Sequence, residues 1–185
     1  TGFGDSPYQS YSAFAGNPYL IDLDDLVAQE LLKEEEIRSF HWGTDENDID
    51  YALIYENRYQ VLQMAYKRFA PTDEYRHFVE ENKIWLDEYA TYMALKHHFG
   101  DREWQRWDIP FKDREPQAIM ECQETLKTEI LFYKFCQYEF FRQWELLKNY
   151  AHSRGILLIG DVPFYIGADS ADVWAHREYF LLKED

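Results

Sequence analysis

One run constrains the fold more than any other part of the chain: Gly155-Ile156-Leu157-Leu158-Ile159-Gly160, four consecutive aliphatic residues between glycines. A short, uninterrupted apolar run bounded by turn residues suits a strand buried on both faces. Asp161-Val162-Pro163 terminates it, because proline has no N–H to give a central ladder. A lone buried strand is physically incomplete, since each of its backbone N–H and C=O groups needs a partner. No other segment reads as strand with the same clarity. Either weak strands are hidden in 1–25 and 161–180, or the partner strands belong to other sequence.

Everything else reads as helix or ordered loop, so the expected class is mainly α with few strands. Residues 1–25 carry Gly2, Gly4, Pro7, Gly16 and Pro18 together with Tyr8, Tyr11, Phe14 and Tyr19. Rings need burial, so this is an ordered loop and not a linker. Asp22 to Glu36 is predicted as one helix, capped by Asp24 or Asp25. Asp48 to Phe69 repeats apolar residues at helical spacing and stops before Pro71. Thr72 or Asp73 caps the next segment. In Lys83 to Phe99, Trp85, Leu86, Tyr89, Met93 and Lys96 form a stripe that ends at Gly100. Asp101 to Asp113 is expected to be loop with one turn. Pro116 to Arg154 is one long helix, or two joined by a bend near Phe132 to Phe135. The natural divisions are 1–25 as a loop segment, 26–115 as a helical subdomain, and 116–185 as a long helix, the strand and the loop after it.

Composition narrows the partners. Nineteen basic against 35 acidic residues leave a net charge of −16, a field that repels nucleic acid and anionic membrane alike. No apolar run approaches the length of a membrane span. Cys122 and Cys136 lie in helical pattern outside any Cys-x-x-Cys pair, and are read as free buried thiols of a cytoplasmic protein rather than as a disulfide. His97-His98 are adjacent and so point about 100° apart on a helix, which excludes an i, i+4 metal pair. Phosphate loops, dinucleotide fingerprints and zinc spacings are absent, so neither metal nor cofactor is expected. The chain has no N-terminal Met and no signal-like segment, and is expected to begin inside a longer protein. Aromatics make up 18% of the residues, an excess that suits stacking on sugar rings as well as filling a helical core.

Asp161 arrives where the predicted strand emerges, the position at which parallel α/β folds place ligand-binding residues. It equally suits a cap for the turn at Pro163. The following stretch, Tyr165 to Trp174, is dense in carboxylates, hydroxyls and rings, the groups of a polyol site. Asp169 or Ser170 can instead cap a short helix holding Val173 and Trp174. The candidates carried forward for ligand contact are Asp161, Tyr165, Asp172 and Trp174.

Two long stretches then resemble a known family. Gly4-Asp5-Ser6-Pro7-Tyr8-Gln9-Ser10-Tyr11 continues through Gly16-Asn17-Pro18-Tyr19, and Gly160-Asp161-Val162-Pro163 continues through Asp169-Ser170-Ala171-Asp172-Val173-Trp174. Both resemble the 4-α-glucanotransferases of glycoside hydrolase family 77. Trp85-Leu86-Asp87-Glu88-Tyr89-Ala90 and Phe141-Arg142-Gln143-Trp144 are similar to the same family's pattern. The resemblance implies a piece of a (β/α)8 barrel with a helical insertion, and α-1,4-glucans and maltooligosaccharides as partners. It implies transfer of glucan segments by a retaining double displacement. By the same resemblance, Ser6 and Tyr8 line a donor subsite, Asp161 supports the subsite where the bond breaks, and Phe3 belongs to a secondary glucan site. The family's nucleophile motif and acid/base motif do not occur in this chain. A retaining mechanism needs two carboxyl groups about 5–5.5 Å apart. The chain is therefore expected to supply part of the cleft with no catalytic residues, to be inactive alone, and to self-associate through its unpaired strand.

Overall fold

The computed structural model describes residues 8–45, 47–161 and 165–182. Among these the chain is helical and contains no strand. Helix α1 runs Leu23–Ala28 and α2 Glu34–Arg38, where one continuous helix is expected. The break falls at Glu30, whose φ of 61° places it in the left-handed region that ends helices. Asp22, not Asp24 or Asp25, caps α1 by accepting from the Asp24 N–H. Helix α3 (Tyr51–Tyr66) is capped by Asp50 and α4 (Asp73–Glu81) by Thr72.

Helix α5 (Lys83–His98) is followed by α6 (Ile109–Lys112), with a 3-10 turn over Trp104–Arg106 between them. From Thr91 to Lys96 every residue of α5 is buried, which marks a helix enclosed on all sides rather than one with a single apolar stripe. Gly100, at φ 65°, closes it: the Gly100 N–H donates to His97 O and the Asp101 N–H to Lys96 O, the two bonds of a Schellman motif. The predicted long helix is two, α7 (Pro116–Thr125) and α8 (Lys127–Ser153). The break is at Leu126, with no bend at Phe132 to Phe135, because those side chains are committed to the core.

Helix α8 is the spine, packed along α5 and also against α3, α4 and α7. A contiguous apolar core runs through α1, α3, α5, α7 and α8, from Ile21 and Leu26 through Val61 and Leu62 to Phe135 and Trp174. Gly16 enters it closely: its amide donates to Gln137 Oε1 (2.8 Å), its carbonyl accepts from Gln137 Nε2 (3.0 Å), and the Phe140 ring lies over its Cα. Cys122 and Cys136 are free and buried, as expected; burial pushes the Cys122 thiol up to about 11.

The predicted strand is the main correction. A second Schellman motif at Gly155 ends α8, with bonds from Gly155 N to His152 O and from Ile156 N to Ala151 O. The chain then runs as irregular coil across the surface. Ile156, Leu157, Leu158 and Ile159 are 55%, 81%, 44% and 96% exposed. The physical reason is the incompleteness noted above: among the described residues no neighbouring strand pairs with its backbone.

Candidate functional site

The aromatic N-terminal loop and the loop after Asp161 meet on the helical body. The Ala171 N–H donates to Tyr11 O (2.8 Å), starting α9 (Ala171–Ala175) against the first loop. Ser170, not Asp169, caps α9 by accepting from the Val173 N–H. The Asp172 carboxylate clamps the first loop from above: Oδ1 accepts from Ser12 Oγ (2.9 Å) and Oδ2 from the Ala13 N–H (2.7 Å). Gly167 lies close to the Ser10 carbonyl, so the two loops run edge to edge.

Beneath this junction lies a polar knot inside an aromatic cage. Lys96, 2% exposed, puts its ammonium 2.5 Å from Asp169 Oδ2. Asp169 Oδ1 accepts from Tyr92 Oη (2.6 Å) and from the Trp104 N–H (3.2 Å). The Lys96 ammonium also faces the Tyr11 ring at 5.2 Å. Burial, reinforced by the Asp169 charge, raises the Tyr92 phenol well above its ordinary value and pushes Tyr11 up to about 12, so both are neutral near neutral pH and Tyr92 donates to Asp169 as a phenol.

Tyr11 and Lys96 also form one wall of a cleft of about 690 Å³. Tyr19, Tyr55, Tyr59, Phe132 and Tyr133 supply its rings; Glu56, Gln60, Gln63, His97 and Asp101 supply donors and acceptors. Rings alternating with amide, carboxylate and imidazole groups can stack on the C–H faces of a sugar and bond its hydroxyls. The sequence marks Tyr11 and Tyr19 as rings of an ordered loop but not the rest of this lining. The available signal was Tyr51, Tyr55 and Tyr59 recurring every fourth residue along α3.

The candidates from sequence divide clearly. Tyr8, Asp161 and Tyr165 are on the surface, Tyr8 half-exposed and Tyr165 78% exposed. The loops of Tyr8 and Tyr165 are brought together, whereas Asp161 lies on the exposed run that follows α8. Ser6 and Phe3 lie outside the described residues. Trp174 is fully buried between Tyr92 and Trp107, with the Arg114 guanidinium 4.1 Å from its ring centre and its Nε1 donating to Phe111 O (3.0 Å). An enclosed ring has no face for a sugar, so Trp174 anchors α9 to α5 and the segment after it, whereas both Asp172 oxygens accept from Ser12 and Ala13, so Asp172 builds the loop junction. Among the described residues, no three His, Cys, Asp or Glu side chains gather as metal ligands would, and no helix is long and apolar enough to cross a membrane.

Comparison with known proteins extends over the whole chain. The family model described as 4-alpha-glucanotransferase, glycoside hydrolase family 77, matches residues 1–185. A 4-alpha-glucanotransferase of Clostridium butyricum is 43% identical, aligned over 100% of this chain and 38% of its own length. One from Thermus thermophilus is 42% identical over 100% of this chain and 37% of its own. The solved structure of an amylomaltase from Streptococcus agalactiae in complex with acarbose superposes with a TM-score of 0.93 at 39% identity, covering 100% of this chain and 38% of that one. The chain thus spans less than two-fifths of the length of the relatives it matches.

Proposed function

The chain belongs to glycoside hydrolase family 77, the 4-α-glucanotransferases, and from that premise we propose that it forms one wall of a cleft that holds α-1,4-glucans during transfer. The observation that carries this reading is the junction of the two loops, held by Asp172 on Ser12 and Ala13, above a cleft lined by tyrosines. Tyr8 and Tyr165 sit on the accessible side of that junction as ring and hydroxyl contacts, Ser6 belongs with Tyr8, and Asp161 offers a solvated carboxylate to the sugar where the bond breaks. Phe3 belongs to a secondary glucan contact.

Transfer proceeds by a retaining double displacement whose two carboxyl groups stand about 5–5.5 Å apart across the scissile bond. That pair is contributed by sequence other than this, and the run 155–161 serves as a strand of the (β/α)8 barrel when its neighbours are present. Segment 1–25 then acts as a site loop, 26–115 as the helical insertion, and 116–185 as the helix, strand and loop that reach the cleft. The acidic surface disfavours nucleic acid, and the free buried thiols fit a reducing cytoplasm.

Incubating the 185-residue chain with maltotriose tests the division of labour: no longer or shorter oligosaccharides are expected, and robust disproportionation would overturn it. Titration with maltoheptaose followed by Trp fluorescence tests the wall. Saturable, weak binding is expected, because only part of the contact area is present. Binding unchanged in both Tyr8→Ala and Tyr55→Ala would refute it. A second reading, a helical glucan-binding module with no part in transfer, is favoured by the cleft among the helices; it predicts that Tyr55→Ala alone abolishes binding and that Tyr8→Ala has no effect.

A further inference from the structure

We propose that Lys96 is a positioning residue whose ion pair with Asp169 holds the loop bearing Asp161 and Tyr165 in register with the aromatic cleft. The inference deepens the glucan-wall reading and rests on it for its sugar-binding half. From Gly155 to Ala168 the described residues bury nothing: apart from Gly167 every one is exposed, including the aliphatic run and Tyr165. These described residues, with no buried side chains among them, take their position from the ordered structure at either end. One end is the Schellman motif at Gly155. The other is Ala168 and Asp169, where the Ala168 carbonyl accepts from Trp104 Nε1 (2.8 Å) and Gln105 Nε2 (3.2 Å) while the Asp169 carboxylate is held by Lys96, Tyr92 and the Trp104 amide.

Lys96 differs from the other donors because it belongs to both structures at once. Its ammonium reaches Asp169 on the loop and Arg102 O (3.3 Å) on the segment after α5, and it lies against the ring of Tyr11 in the wall of the cleft. Its side chain is 3% exposed and that of Asp169 28%. Removing one partner of such a pair leaves a charge with poor solvation, so the loop end must move toward water. Removing both charges relieves that penalty without restoring the tether.

Four variants of the 185-residue chain separate tether from general stability: Lys96→Met, Lys96→Arg, the double variant Lys96→Met/Asp169→Asn, and Leu62→Ala as a core lesion remote from the loop. Hydrogen exchange of the Trp104 and Ala171 amides, which donate to Asp169 Oδ1 and Tyr11 O at this end of the loop, is measured below the melting transition, alongside the maltoheptaose titration. Lys96→Met and the double variant are expected to accelerate exchange of these two amides by about tenfold or more while leaving α3 amides protected, and to weaken sugar binding. Lys96→Arg restores part of both, and Leu62→Ala lowers the melting temperature without either effect. If Lys96→Met does not fold, the double variant gives the reading, because its charges are removed together. Exchange of the Trp104 and Ala171 amides no faster in the charge-deleted variants than in Leu62→Ala overturns the proposal. Absence of sugar binding in the unmodified chain overturns the glucan reading instead, and the exchange result still decides the tether.

Discussion

Replacing Trp174 with alanine separates a ring that anchors α9 in the core from one that stacks on sugar. The side chain is fully buried, with Tyr92 and Trp107 at ring separations of 5.9 and 5.7 Å and a guanidinium 4.1 Å from its centre. An enclosed aromatic removes about 150–250 Å² from water, which at about 25 cal/mol/Å² is worth roughly 4–6 kcal/mol as an upper bound. Measured Trp-to-Ala core truncations cost about 3–5 kcal/mol. The Phe111 carbonyl also loses the indole N–H. We therefore expect a loss of about 4 kcal/mol, within the range of large-to-small core substitutions. In a domain of this size that corresponds to a fall in melting temperature of about 8–16 °C. Urea unfolding followed by far-ultraviolet circular dichroism reads the first number and a thermal scan the second. Trp174→Phe keeps most of the packing and loses the hydrogen bond, so it should cost about 1–2 kcal/mol. A Trp174→Ala chain that loses less than about 1 kcal/mol would refute the reasoning, because burial of that ring then contributes far less than its area requires.

Other perturbations test other joints. The Arg68 guanidinium holds the Glu36 carboxyl down to about 2 from an ordinary 4.5, so the contribution of this pair is fully present above pH 4.5 and is lost as pH falls toward 2; Glu36→Gln should flatten the acid limb of a stability profile across that window. Gly16→Ala would place a methyl 2.0 Å from Phe140 Cδ1, which forces the whole ring to move and should cost about 1–3 kcal/mol in urea unfolding. The exposed run Ile156 to Ile159 should drive association of the isolated chain, and Leu157→Glu should return it to monomer; light scattering that finds the unmodified chain monomeric at high concentration counts against this.

Much of the helical framework could be read from local chemistry. Thr72 capping α4, Pro116 at the first turn of α7, and Gly100 and Gly155 past the ends of α5 and α8 all act within a few residues of themselves, so sequence alone located them. The resemblance carried by residues 4–19 and 160–174 likewise depends on local order, and the family followed from it. Breaks that depend on tertiary packing were not legible. The sequence allows one helix or a bend near Phe132 to Phe135, and the interruption falls instead at Leu126, because nothing in Phe132 to Phe135 says that those rings must continue into the core.

The site divides along the same line. Residue types alone marked the stretch from Asp161 to Trp174 as chemically loaded, but could not assign its members. Asp172 found Ser12, 160 positions away, and Asp169 found Lys96, 73 positions away, and no periodicity encodes partners at such separations. The apolar run 155–160 shows the limit from the other side. Its composition determined that it wants burial between neighbouring strands, and only the tertiary structure decided that within this chain it lies exposed, since hydrogen-bond partners for an extended backbone must come from another segment.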